Sequence, residues 1–196
     1  MIHSKVHATI KPGLIKRIMD KSENKIVGRL NEFEFIVSDL HFQIRLPDNS
    51  SVFESRKKYP ELPSKIGDSL RILFDSVEGN FKGERTFEIW NDVNENCTVP
   101  LELTPWIYAH PFGRSCVLQT DDGERVYIDQ KYMDMIGVKG DVSSFLFYKK
   151  PAFTTSVPNE TVISVKDRNT GEQFAVIMPM IIDATDLIPE IKKDDK

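Results

Sequence analysis

Period-two alternation, broken at a glycine turn and then resumed, constrains this chain more than any other feature. In Ser115–Asp129, SCVLQTDDGERVYID, apolar and polar residues alternate on both sides of the turn. Successive side chains of a strand point to opposite faces, so the stretch predicts a β-hairpin with one buried face. Asp121 and Asp122 tolerate turn geometry, and Gly123 supplies the left-handed residue. RNTGE at 168–172 has the same turn chemistry, inside a second predicted hairpin, TVISVKDRNTGEQFAVIMPMII. Both fit a type I turn followed by a left-handed Gly, the three-residue loop. Their flanking strands do not align, so this is reuse of a turn and not a repeat.

The same period recurs upstream. In FEFIV (33–37), Phe33, Phe35 and Val37 alternate with Glu34 and Ile36. In LHFQIRL (40–46), Leu40, Phe42, Ile44 and Leu46 face one way and His41, Gln43 and Arg45 the other. PDNS is a turn signal, and SVFES can return as partner strand, which predicts a hairpin over 40–55. SLRILFDSV and ERTFEIW also alternate, joined by the two-glycine loop EGNFKG, and VSSFLFY reads as a further strand. Pro60 and Pro63 mark a connector.

Two segments have helical spacing instead. PGLIKRIMDKS (12–22) sets Leu14, Ile15, Ile18 and Met19 on one stripe, with Pro12 in the first turn. DQKYMDMIG (129–137) has Asp129 as N-cap and Gly137 as terminator, and turns Tyr132, Met133 and Ile136 inward. The fold class expected is mainly β, bordering on α+β. It is an antiparallel barrel or sandwich built from hairpins, with about nine or ten strands and two short helices. Residues 1–186 are expected to form one domain of two β-rich halves, about 1–92 and 97–186, hinged on the polar stretch NDVNENC. Residues 187–196 are expected to be a flexible tail.

Composition supports a globular chain: 196 residues, 40% hydrophobic and 29% charged, with 12 Phe against five Tyr and two Trp. Cys97 and Cys116 form no CxxC pair, and no His cluster accompanies them, so a structural zinc site is not expected. No apolar run has signal-peptide or membrane-spanning length, which predicts a cytoplasmic protein with reduced thiols and no membrane contact. Net charge is −4, yet residues 1–29 hold seven Lys or Arg against Asp20 and Glu23. Such a basic end, with Lys16 and Arg17 on the first helix, suits an acidic partner or nucleic acid. The acidic total argues against a dedicated duplex-DNA binder.

No nucleotide-loop, zinc-protease, esterase or EF-hand motif is present, and no cofactor is expected. His3 and His7 lie four apart without a third ligand. YAHPFGR (108–114), just before the first hairpin, leaves His110 and Arg114 without structural duties. A bend there could bring His110 to Cys116 as a base to a thiol nucleophile. Against that, Cys116 shares a strand face with Leu118, as a small core residue would. Asp121, Asp122 and Glu124 form an acidic tip better explained by turn geometry than by catalysis. Arg125 beside Tyr127, with Lys149 and Lys150 after Tyr148, makes a basic-aromatic patch. Leu187-Ile188-Pro189, flanked by acids, has the composition of a short docking motif.

The leading expectation is a non-enzymatic binding or assembly protein acting through a protein–protein interface, of the kind found among phage accessory or structural proteins. Its candidate binding residues are His110, Arg114, Arg125, Tyr127, Lys16 and Arg17. The alternatives are a single-stranded nucleic-acid-binding β-barrel using the basic N-terminal segment, and a hydrolase or transferase dependent on Cys116 and His110.

Overall fold

The computed structural model describes residues 10–54, 62–73, 76–82, 84–110, 113–137, 144–151, 162–180 and 191–192. They form twelve strands, nearly all of them short, and three α-helices, and every described strand pairing is antiparallel. The chain divides into two units, Met1–Asp92 with Met135–Gly137, and Val93–Asp134 with Val138–Lys196. Within each unit the pairings run along an open path without closing on themselves. Of the barrel and the sandwich expected, the unclosed path fits a sandwich or open sheet and not a barrel.

The first unit begins with α1 (Pro12–Lys21), whose Ile15 and Met19 are buried while Arg17 stays exposed. Then come β1 (Asn24–Arg29), β2 (Glu34–Ser38), β3 (Phe42–Pro47), β4 (Asp68–Leu73) and β5 (Ser76–Lys82), followed by the greater part of α2 (Glu84–Asn96). The strands lie in the order β5-β4-β1-β2-β3. β2 is buried on both faces. On one face Phe35 meets Phe53 edge-on at 5.2 Å between ring centroids. Phe53 belongs to a single 3-10 turn (Ser51–Glu54), against which α1 packs. On the other face α2 brings Phe87 to Gly28 and the Thr86 carbonyl to the Gln43 amide at 3.2 Å.

Five local expectations fail here for identifiable reasons. Ser51–Glu54 of SVFES is the 3-10 turn and not the partner of β3, which pairs with β2 instead. Phe33 is not core: it sits in the β1–β2 turn, 61% exposed, its N–H bonded to the Asn31 side chain. Leu40 is likewise a turn residue, at φ 75°, where Asp39 accepts from the N–H groups of His41 and Phe42. The largest revision is ERTFEIW, which is helix α2 and not a strand. Phe87 and Ile89 mimic period two, but the buried set Thr86, Trp90, Val93 and Cys97 recurs every three or four residues. The expected loop EGNFKG lies largely within β5.

The second unit holds β6 (Val99–His110), β7 (Gly113–Gln119), β8 (Arg125–Asp129), most of α3 (Gln130–Ile136), β9 (Phe145–Lys149), β10 (Ile163–Asp167), β11 (Gln173–Ile177) and β12 (Ile191–Lys192). Its strand order is β11-β10-β9-β6-β7-β8, with β12 added to β6. The 115–129 hairpin is present as β7 and β8. Gly123 adopts φ 92°, and the Gly123 N–H bonds the Thr120 carbonyl at 3.0 Å, closing a three-residue loop. The second hairpin is β10 and β11. Gly171 is left-handed too (φ 71°), but its N–H reaches back four residues to Asp167, so this loop is one residue longer than expected. Asp129 caps α3 through the Lys131 N–H at 2.9 Å, and Gly137 ends it at φ 83°. No helix among the described residues is long and apolar enough to cross a membrane.

Candidate functional site

Four of the six expected binding residues, His110, Arg114, Arg125 and Tyr127, fall on the β6–β7–β8 ribbon with Cys116, and its register sorts them by face. Ile107 pairs with Cys116, Ala109 with Arg114 and His110 with Gly113. Cys116 in turn pairs with Ile128, and Val117 with Tyr127. Paired residues share a face and neighbours along a strand alternate. Arg114, Cys116, Leu118, Val126 and Ile128 therefore lie on one face. Tyr108, His110, Ser115, Arg125 and Tyr127 lie on the other. His110 and Cys116 are on opposite faces of the ribbon. Pro111 and Phe112, between β6 and β7, lie outside the described residues, as do His3 and His7.

Cys116 is buried, as its partnership with Leu118 implies, and its thiol donates to Gln130 Oε1 at 2.7 Å. The Gln130 amide donates on to Asp134 at 3.0 Å, so this network ties α3 to the ribbon. On the opposite face, Arg125 donates to the Tyr108 hydroxyl at 3.0 Å, and the Tyr108 and Tyr127 rings meet edge-on at 5.3 Å. Arg125 and Tyr127 are thus brought together, with Tyr108 as a third member that alternation alone does not single out. His110 is buried and Arg114 exposed. Lys16 and Arg17 belong to α1 of the first unit.

The acidic tip is a structural clamp. Thr120 donates to the Asp122 carboxylate, and its Oγ1 accepts the Glu124 N–H at 3.0 Å. The Thr120 hydroxyl, aided by backbone N–H groups and the Lys149 charge, holds the Asp122 carboxyl below its ordinary value. Glu124 forms an ion pair with Lys149, whose side chain is only 5% exposed beside Phe147 on β9. The tip is thereby fastened to β9. Lys149 is a buried partner in that pair and not a surface cation of a basic patch. Among the described residues, no group of three or more His, Cys, Asp or Glu is placed to hold a metal ion.

A strand edge of a different kind lies on β6. This long strand keeps β7 on one side. On its other side β9 pairs only with Val99–Leu101, and β12 only with Trp106 and Ile107. Among the described residues no strand pairs with that edge at 102–105. There β6 bulges away from regular pairing with β7, between Leu103 and Ile107. Pro105 sits in the bulge, where a residue without N–H is tolerated. Thr104 bridges the bulge: its hydroxyl accepts the Trp106 N–H at 3.3 Å and donates to the Val117 carbonyl at 2.9 Å.

Where β6 and β9 part, a cleft of about 470 Å³ opens, walled by Pro100–Leu103 and Phe145–Tyr148. Arg168 completes it, its Nη2 at 3.5 Å from the Phe145 carbonyl, with Glu102 on the β6 wall. Leu103, Leu146 and Tyr148 are half-buried. The outer edge of β8 contrasts with this one, because the Met180 N–H covers it at Tyr127, at 2.8 Å. Sequence alternation misses the cleft because period two finds strands, not their edges. The one signal is Pro105 within a strand-rich run, since proline belongs at edges and bulges.

Comparison of the chain with protein-family models, with curated proteins and with solved structures gives no match. The site therefore stands on its own geometry.

Proposed function

We propose that this protein binds a protein partner by taking an extended segment of it as an added strand on the β6 edge. One observation carries the reading. Ile191 and Lys192, which come from the far end of the chain, already lie antiparallel on that edge as β12. The edge thus accepts a short extended segment, and beside it lies the cleft between β6 and β9, with a lining of mixed polarity. In β-augmentation, main-chain hydrogen bonds give affinity and side-chain pockets give selectivity. Leu103, Leu146 and Tyr148 offer apolar contacts, and Glu102 and Arg168 offer one charge of each sign.

The other readings find less support. Arg125 and Tyr127 are engaged with Tyr108, and Lys149 with Glu124, which leaves little of the basic-aromatic patch for stacking bases. The separation of His110 from Cys116 removes the pair on which a thiol-dependent reaction would turn.

Fluorescence anisotropy with a labelled peptide copying Asp186–Lys196 tests the proposal. Binding with a Kd of about 10–100 μM is expected, in the range of small transient interfaces. Leu146→Lys, which puts a charge on the cleft wall and leaves the circular dichroism spectrum unchanged, weakens it about tenfold. No saturable binding at millimolar peptide sinks the proposal.

A further inference from the structure

The chain follows one plan twice. First, α1 leads into β1, β2 and β3, which pair in sequence, and the helical turn Ser51–Glu54 follows. The chain then returns β4 to the other side of β1 and lays β5 on β4. Next, α2 leads into β6, β7 and β8, and α3 follows. The chain then returns β9 to the other side of β6 and lays β10 on β9. The orders β5-β4-β1-β2-β3 and β10-β9-β6-β7-β8 are therefore the same order. Consecutive strands usually pair, so either meander alone needs no explanation. Two returns to the leading strand, each after a helical turn, do need one.

The registers agree as well. A dipeptide separates each leading helix from its first strand, Ser22-Glu23 and Cys97-Thr98. The first residue of the leading strand pairs with the last of the returning strand, Asn24 with Leu73 and Val99 with Lys149. That last residue pairs in turn with the first of the next strand, Leu73 with Ser76 and Lys149 with Ile163. We infer that the chain is an internal duplication of one unit of a helix and five strands, with its copy boundary between β5 and α2, and that the second copy is the binding one. The second point rests on the edge-binding reading above. β11, β12 and a β6 of 12 residues, where β1 has six, are additions to the plan, and they fall in the second copy. Chain order sets the copy boundary, although by packing the first part of α2 sides with the first unit. Cores keep their fold through extensive apolar exchange, so topology and register outlast a sequence repeat.

Circular permutation tests this in a chain that keeps every residue. In two permuted forms a Gly/Ser linker of about 20 residues joins Lys196 to Met1. One form is opened between Gly83 and Glu84, at the copy boundary. The other is opened between Leu40 and His41, both exposed, in a turn inside the first copy. On exposure alone the second form should tolerate its break well. Duplication predicts instead that the boundary form folds, with a urea unfolding constant within about tenfold of the unaltered chain, and that the other form is at least about tenfold less stable than it. The boundary form should also bind the labelled Asp186–Lys196 peptide within about twofold of the unaltered chain. A boundary form that does not fold, or is no more stable than the other, overturns the duplication. A boundary form that folds but has lost peptide binding overturns the assignment of the site to the second copy and leaves the duplication standing. If the unaltered chain binds no peptide, the edge reading and that assignment fall together, and the urea comparison still decides the duplication.

Discussion

Thr104 shows how a single hydroxyl shapes the candidate site. It answers two backbone groups that the β6 bulge would otherwise strand, one on its own strand and one on β7. Thr104→Val keeps the shape and removes both hydrogen bonds. Its expected cost is about 1–3 kcal/mol in urea unfolding, with peptide affinity reduced as the bulge loses definition. Asp122 makes a second residue-scale prediction. Its folded-state carboxyl titrates below the ordinary 3.8 because Thr120 donates to the charged form. Stability from this group is therefore complete at neutral pH and is lost as pH falls below that ordinary value toward the folded one. In an NMR titration of the carboxyl carbons, Thr120→Val should move the Asp122 midpoint upward. A midpoint that stays put would show that the hydroxyl is not the cause.

At the scale of elements, legibility followed how much of the answer is local. The β7–β8 and β10–β11 hairpins were readable because alternation and a left-handed Gly occur together within a dozen or so residues. α1 and α3 were readable from an apolar stripe with proper ends. α2 was not, because a seven-residue window around Phe87 and Ile89 fits both periods, and only Val93 and Cys97 beyond it decide for the helix. That error hid the partner of the polar face of β3, where Gln43 is buried beneath Thr86. It also hid the role of Gly28. A Cβ there would stand 2.8 Å from the Phe87 ring and 2.9 Å from the Ser69 hydroxyl. Replacing a strand-interior glycine by alanine ordinarily stabilises by about 0.5–1 kcal/mol. Here Gly28→Ala should instead destabilise by about 1–3 kcal/mol, read as a lower urea midpoint, because α2 packs directly on the backbone. A raised midpoint would mean that α2 does not lie against β1 as described.

For the whole molecule, the candidate site was only half legible. The sequence placed Arg125 beside Tyr127, and the structure brings them together with Tyr108. It set His110, Arg114 and Cys116 close along the chain, and the register turns His110 to the face opposite the other two. It could not show the β6 edge, since what lies along a strand is settled by pairings between residues far apart in the chain: β6 with β9, and β6 with β12. Function is proposed at that edge because it is where one part of this chain already accepts another as an added strand. Amide hydrogen exchange of the full-length protein, with and without saturating Asp186–Lys196 peptide, tests this most directly. The account predicts slowed exchange within 102–107 and at 145–146, with the β7–β8 hairpin unchanged. Protection confined to that hairpin or to the first unit, or no protection at all, would contradict it.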